Sequence, residues 1–157
     1  MKNIASLFLL FAFASVGIGA NNAPQSQEED IREAVFRWQF DHNVSGQQNK
    51  AKGYFLTVGE KSGDPSDKFI KRFAHNKPPV RKRSECSADP GRGVLDKKTG
   101  ERGLIFFVTS IKWNSDTEVE VKGGYYEAGM SASGNTYALK KEKGKWKVTN
   151  DTLDEIS

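Results

Sequence analysis

Apolar positions recur at helical spacing near the start of the folded region. Ile31, Ala34, Val35 and Trp38 stand at i, i+3, i+4 and i+7, one stripe of a helix predicted to run to about Asp41. Ser26-Gln27-Glu28-Glu29 fits a capping box, with acids in the first turn where the helix dipole favours them. Phe36 and Phe40 fall nearly opposite the stripe, so the helix is apolar on two sides. Such a helix is either sandwiched within the domain or offers its second side to a ligand or partner.

Gly53 to Gly59 reads as a short strand, Tyr54-Phe55-Leu56-Thr57-Val58, bounded by glycines. Asp64-Pro65-Ser66-Asp67 then predicts a second helix, with Asp64 as N-cap and Pro65 at the first helical position. Phe69, Ile70 and Phe73 form its buried side, and Pro78-Pro79 stops it. From Val80 the period becomes two. Val80, Lys82, Ser84 and Cys86 share one face of a strand, with Arg81, Arg83 and Glu85 on the other. Turns are expected at Asp89-Pro90-Gly91-Arg92-Gly93 and at Asp96-Lys97-Lys98-Thr99-Gly100.

Leu104 to Val108 is apolar on both faces, which places it in mid-sheet, and the pattern alternates on through Ile111 and Trp113. Thr117, Val119 and Val121 alternate with Glu118, Glu120 and Lys122. Tyr137 and Leu139 face inward on a further strand, Trp146 and Val148 on the last, with a tight turn at Lys143-Gly144 between them. The order defines an α+β domain in which two N-terminal helices pack on a curved antiparallel sheet of about five to six strands.

The opening segment obeys a different rule. Met1-Lys2-Asn3 is a short positive region, Ile4 to Phe13 is apolar apart from Ser6, and Gly17-Ile18-Gly19-Ala20 supplies small residues for cleavage. Residues 1–20 therefore read as a secretory signal peptide, 21–25 as a polar leader and 26–157 as one domain. The expectation is a soluble periplasmic or secreted protein, with no membrane association after signal removal. Cleavage removes one positive charge, Lys2, from a net +4. Much of the 36% hydrophobic content lies in that segment, so the core must be thin and rich in aromatic residues. Cys86 has no partner in the chain, which excludes a disulfide scaffold and a Cys-ligated zinc site. It is expected as a buried small hydrophobe.

The N-terminal helix followed by a long antiparallel sheet, closed by Tyr137-Ala138-Leu139-Lys140…Gly144-Lys145-Trp146-Lys147-Val148, resembles the NTF2-like and cystatin-like group. The chain is also similar to small uncharacterised exported bacterial proteins that share Asp96-Lys97-Lys98-Thr99-Gly100-Glu101-Arg102-Gly103 and Ser131-Ala132-Ser133-Gly134-Asn135-Thr136-Tyr137. The first resemblance implies a fold; neither carries over a catalytic residue.

Motifs narrow the chemistry by exclusion. Gly129-Met130-Ser131-Ala132-Ser133-Gly134-Asn135-Thr136 matches a phosphate-binding loop except that Asn135 replaces the essential Lys, and the context is strand to strand, so a Gly/Ser hairpin loop is expected. With His42 and His75 as the only histidines, no histidine-rich metal site can be built, and no cofactor is expected. Nucleic acid does not fit an exported chain of this modest charge with no aromatic residues interleaved in its basic run.

Two clusters remain. Gly123-Gly124 inside a strand pattern suggests a bulge or close backbone approach that would aim Tyr125 or Tyr126 into a concave face, where Trp38, Trp113 and Glu127 could complete a ligand pocket. Arg81, Lys82 and Arg83 form the densest basic segment, an anion site or a solvated strand edge. The leading expectation is a non-catalytic domain that binds a small molecule or a protein partner, as monomer or dimer. The alternatives are a small NTF2-like hydrolase or isomerase using Asp41 or Glu127 with His42, and a secreted inhibitor or immunity-type protein acting through residues 129–135.

Overall fold

The computed structural model of the chain describes residues 25–156. The expected signal peptide and most of the leader lie outside the described residues. Gln25, placed at the end of the leader from sequence, already belongs to helix α1, Gln25–His42, so Ser26 is a helical residue and not the N-cap.

The remaining elements are β1 (Tyr54–Val58), α2 (Asp67–Lys71), β2 (Val80–Lys82), a 3₁₀ turn (Arg83–Glu85), β3 (Cys86–Asp89), β4 (Gly93–Asp96), β5 (Leu104–Ser115), β6 (Glu118–Ala128), β7 (Ser131–Glu142) and β8 (Lys145–Ile156). Six strands form one sheet in the order β2-β1-β5-β6-β7-β8, and β3-β4 is a separate hairpin. The α+β class and the long antiparallel meander are as expected. Two features differ. Only one long helix is present, because α2 is a five-residue turn and a half followed by irregular turns. The sheet is only mostly antiparallel, since β1 runs parallel to both its neighbours, β2 and β5.

The cap of α2 also moves. Ser66 is the N-cap, its Oγ accepting from Phe69 N at 3.1 Å, while the Asp64 carboxylate accepts from Ser84 N at 2.9 Å. A hydroxyl one turn before the first free N–H satisfies it without the strain of extending the helix back to Pro65. The strand expected from Val80 to Cys86 is broken by the 3₁₀ turn, which lets Cys86 leave the main sheet and pair with Asp96 in the hairpin.

Helix α1 lies across one face of the sheet, and both of its apolar sides are buried. Ile31 and Val35 pack in one core with Leu56, Leu104, Phe106, Val108, Val119, Val121 and Leu139. Phe36 meets Phe69 and Phe73 edge-on at 6.0 and 6.4 Å, and Phe40 meets Phe106 at 5.1 Å and Tyr54 at 4.8 Å. This is the sandwiched arrangement of a helix with two apolar sides. Arg72 fixes α2 to α1 by reaching Glu29, Asp30 and Glu33 at 3.1, 2.6 and 3.0 Å. On the opposite face the β3-β4 hairpin covers Phe55, Cys86, Val94 and Ile105, with Tyr126 packed against them.

Bulges decide which residues of the long strands face α1. Leu104, Phe106 and Val108 alternate, the register then skips Thr109, and Ile111 and Trp113 rejoin the same side. On β8 the skip at Thr149 does the same job: Trp146 and Val148 precede it, Asp151 and Leu153 follow it, and all four face the helix side. One extra residue reverses the pleat parity, so side chains of odd and even number share a face. No helix among the described residues is long and apolar enough to cross a membrane.

Candidate functional site

Beyond the core, the last turn of α1 and strands β6, β7 and β8 enclose a cavity of about 330 Å³. Its walls are Trp38, Tyr125, Tyr137, Val44 and Leu153; its polar groups come from Gln39, His42, Asn43, Ser133, Asn135 and Asp151. Cross-strand pairing sets their order: Tyr125 is opposite Ser133, Tyr137 opposite Asp151, and Asn135 opposite Leu153.

Asp151 is the centre of the polar network. Trp38 Nε1 donates to its Oδ2 at 2.8 Å and Asn135 Nδ2 to its Oδ1 at 2.7 Å. Ser133 Oγ in turn donates to Asn135 Oδ1 at 2.9 Å, which fixes the amide so that its NH₂ faces the carboxylate. Both donors to Asp151 are neutral, and no cation pairs with it among the described residues.

His42 stacks on the Trp38 ring, centroids 3.7 Å apart and planes 6° from parallel. Its Nδ1 lies 2.9 Å from the carbonyl oxygen of Trp38. A carbonyl only accepts, so Nδ1 carries the proton and the lone pair of the neutral ring sits on Nε2. Gln39 is buried, and its Nε2 donates to Phe107 O at 3.2 Å and to Tyr137 Oη at 3.3 Å, which leaves its Oε1 buried without a partner. Burial raises the Tyr125 and Tyr137 hydroxyls above their ordinary range, Tyr137 well above it, with Glu127 adding to the effect at Tyr125 and Asp151 at Tyr137.

The paired glycines take the close-approach role. A Cβ on Gly123 would stand 2.4 Å from Phe107 O and 3.0 Å from Gln39 Nε2, so the bare backbone is what lets Gln39 reach the β5 carbonyl. On Gly124 it would stand 1.9 Å from Ser133 O. The bulge of β6 falls later, between Tyr126 and Ala128.

Of the residues singled out from sequence, Trp38 and Tyr125 meet in the cavity. Tyr126 does not, because the pleat sends it to the opposite face with Phe55 and Ile105. Trp113 packs edge-on against Trp146 at 5.6 Å and takes no part in the cavity lining. Glu127 is outside the lining too: its Oε2 accepts from Ser45 Oγ at 2.7 Å and Ser131 Oγ at 3.0 Å, tying the segment after α1 to the β6-β7 turn. Asp41 lies on the side of Tyr54, whose phenol it helps to keep protonated, and no carboxylate hydrogen-bonds His42 among the described residues. Residues 131–135, expected in a loop, are strand; only Gly129 and Met130 remain in the turn. In the basic segment Arg81 pairs with Asp96, Lys82 with Asp67 at 2.6 Å, and Arg83 donates to the Cys86 carbonyl at 3.1 Å. These are contacts of an edge strand and the turn that follows it.

Gln39, Tyr137 and Asp151 were not assigned to a site from sequence, and Ser133 and Asn135 only as part of the segment 129–135 of the inhibitor reading. Counting by two from Trp146 and Val148 puts Asp151 on the outer face, and only the bulge at Thr149 turns it inward. Among the described residues no group of three His, Cys, Asp or Glu side chains converges as a metal site would. No protein family, curated protein or solved structure matches the chain.

Proposed function

We propose that this chain is an exported binding domain of the NTF2-like and cystatin-like kind, without catalysis of its own, which takes a small molecule into the cavity beneath the end of α1. The observation that carries the reading is the cavity itself: aromatic walls with a few converging polar tips, at the small end of the roughly 300–1,000 Å³ range of ligand pockets. A role in binding is favoured over catalysis by the dispersal of the acid and base groups. His42 Nδ1 is engaged by its own helix, Asp41 lies toward Tyr54, and Glu127 is held by two serines. Export rests on the pattern of residues 1–20.

A thermal-shift fragment screen tests the site. Hits should lose their effect in Trp38→Ala and in Tyr125→Ala, and keep it in Trp113→Ala, which removes an aromatic ring from the same face of the sheet outside the cavity. If every hit stabilised Trp38→Ala as much as the wild type, the cavity would not be the binding site. N-terminal sequencing of material exported by an expressing cell should begin at Asn21.

A protein partner is the second reading, and one observation favours it. Val44 and Leu153, two of the three large hydrophobic residues exposed among the described residues, stand at this mouth. The third, Met130, adjoins Ser131, which shares Glu127 with Ser45. Val44→Ser with Leu153→Ser should abolish capture of a partner.

A further inference from the structure

The charges around the cavity specify more than its shape. Among the described residues no Lys or Arg lines the cavity, and the only full charge that does is the Asp151 carboxylate. Several carboxylates of the fold take a cation: Asp96 takes Arg81, Asp67 takes Lys82, and Glu29, Asp30 and Glu33 share Arg72, whereas Glu127, outside the cavity, is held by two serine hydroxyls. Asp151 instead receives one neutral N–H on each oxygen. A carboxylate has about four lone-pair positions, so half of its accepting capacity is open. The donors orient it and leave its charge uncompensated.

The surroundings suit a positive guest. Trp38, Tyr125 and Tyr137 present aromatic rings, whose faces attract cations when water is excluded. Two lining residues add acceptor character: Gln39 has its Oε1 buried without a donor, and the His42 tautomer that donates from Nδ1 to the Trp38 carbonyl has its lone pair on Nε2. An acceptor-rich site calls for a ligand rich in N–H donors. Val44 and Leu153 at the mouth suit an apolar remainder.

Resting on the cavity as the binding site, we infer that its ligand is an organic cation with N–H donors, a primary ammonium, amidinium or guanidinium joined to a small apolar body, whose head pairs with Asp151. The cation supplies the counter-charge that the fold withholds, and its N–H groups satisfy acceptors that the chain leaves open. A quaternary ammonium would gain the aromatic contact and miss the hydrogen bonds. A carboxylate would meet Asp151 as a like charge.

Calorimetric titration with matched probes tests this on the whole protein. 2-Phenylethylammonium and benzamidinium should bind roughly tenfold or more tightly than their neutral counterparts 2-phenylethanol and benzamide, and 3-phenylpropanoate should be weakest. Asp151→Asn should reduce the two cations to the level of the neutral pair, while Trp113→Ala leaves the ranking intact. The comparison of cation with neutral probe needs no variant, so it decides the matter even if Asp151→Asn fails to fold. Equal binding of charged and neutral probes, in a manner abolished by Trp38→Ala, would overturn the cation assignment and leave the cavity as a site. Cation binding indifferent to both Trp38→Ala and Asp151→Asn would overturn both readings.

Discussion

Replacing Gly123 by alanine tests whether sheet and cavity are built around one missing side chain. The new Cβ would stand 2.4 Å from Phe107 O, against 3.4–4 Å for ordinary contact, and 3.0 Å from Gln39 Nε2. The nearer obstacle is backbone in the middle of the β5-β6 ladder, so it cannot rotate away. Relief requires a shift of about 1 Å between the strands or the ejection of Gln39, and overpacking of this kind costs about 1–3 kcal/mol. Gln39 is buried, and its amide already has one atom without a partner. Losing its bond to Phe107 O would leave both the NH₂ and the carbonyl under-satisfied, at about 1–3 kcal/mol more.

Because one displacement produces both effects, a total of about 2–4 kcal/mol is expected. Urea unfolding at neutral pH should show the midpoint falling by roughly 1–2 M, from the usual slope for a small domain. Gly46 is the control. A Cβ there meets nothing within 4 Å, so Gly46→Ala should be neutral or stabilising by up to about 1 kcal/mol through the unfolded chain. If Gly123→Ala were no more destabilising than Gly46→Ala, the account of Gly123 as the passage for Gln39 would be wrong.

Three further outcomes are expected. Tyr54, Tyr125 and Tyr137 are kept protonated above their ordinary value of 10.0, chiefly by burial, so the stability they lend is complete below pH 10 and drains away as the unfolded phenols ionise above it. In a spectrophotometric titration, these three should ionise only as the fold is lost; free ionisation of all three near pH 10 with the near-UV circular dichroism unchanged would contradict this. Cys86 is buried under the β3-β4 hairpin and its thiol is pushed up by desolvation despite Arg83 nearby, so an aromatic disulfide reagent should leave the native protein unlabelled and react at once in denaturant. Prompt labelling of the native protein would mean the hairpin opens freely. Arg72→Met should lower stability by about 1–2 kcal/mol, because three α1 carboxylates lose their shared partner, and added salt should narrow the gap. A loss that salt does not change would assign the effect to side-chain contacts of Arg72 other than its ion pairs, such as the guanidinium over the Phe69 ring.

Elements whose information is local were legible in the chain. The two apolar sides of α1, the period of two at Thr117–Lys122, Tyr137–Leu139 and Trp146–Val148, the turn at Lys143-Gly144 with both residues in the left-handed region, and the buried lone cysteine all follow from neighbours within a few positions. The length of α2 was less so. Phe69, Ile70 and Phe73 mark a buried side, but the segment after Lys71 relaxes into turns because Phe69 and Phe73 are already placed against Phe36 and nothing requires a further helical turn. The parallel pairing of β1 depends on what lies beside it, and a five-residue apolar strand carries no mark of its neighbours' direction.

The site was legible only in its aromatic half. Trp38 and Tyr125 were found because large aromatic residues stand out in any reading of the chain, Tyr125 also for the paired glycines before it. Glu127 was drawn in as their neighbour in the chain, yet its carboxylate serves two serines that pattern alone could not bring to it. The sequence by itself determined that this chain makes an α+β domain with a thin aromatic core, since burial pattern and turn chemistry are written in consecutive residues. Tertiary structure decided that Asp151 enters the cavity, that an indole 113 positions away binds it, and that no cation among the described residues follows it in. The reason is parity: one unpaired residue at Thr149 exchanges the faces of the residues from Asn150 to Leu153, up to the next register shift, and whether a strand bulges there is settled by the strand alongside it.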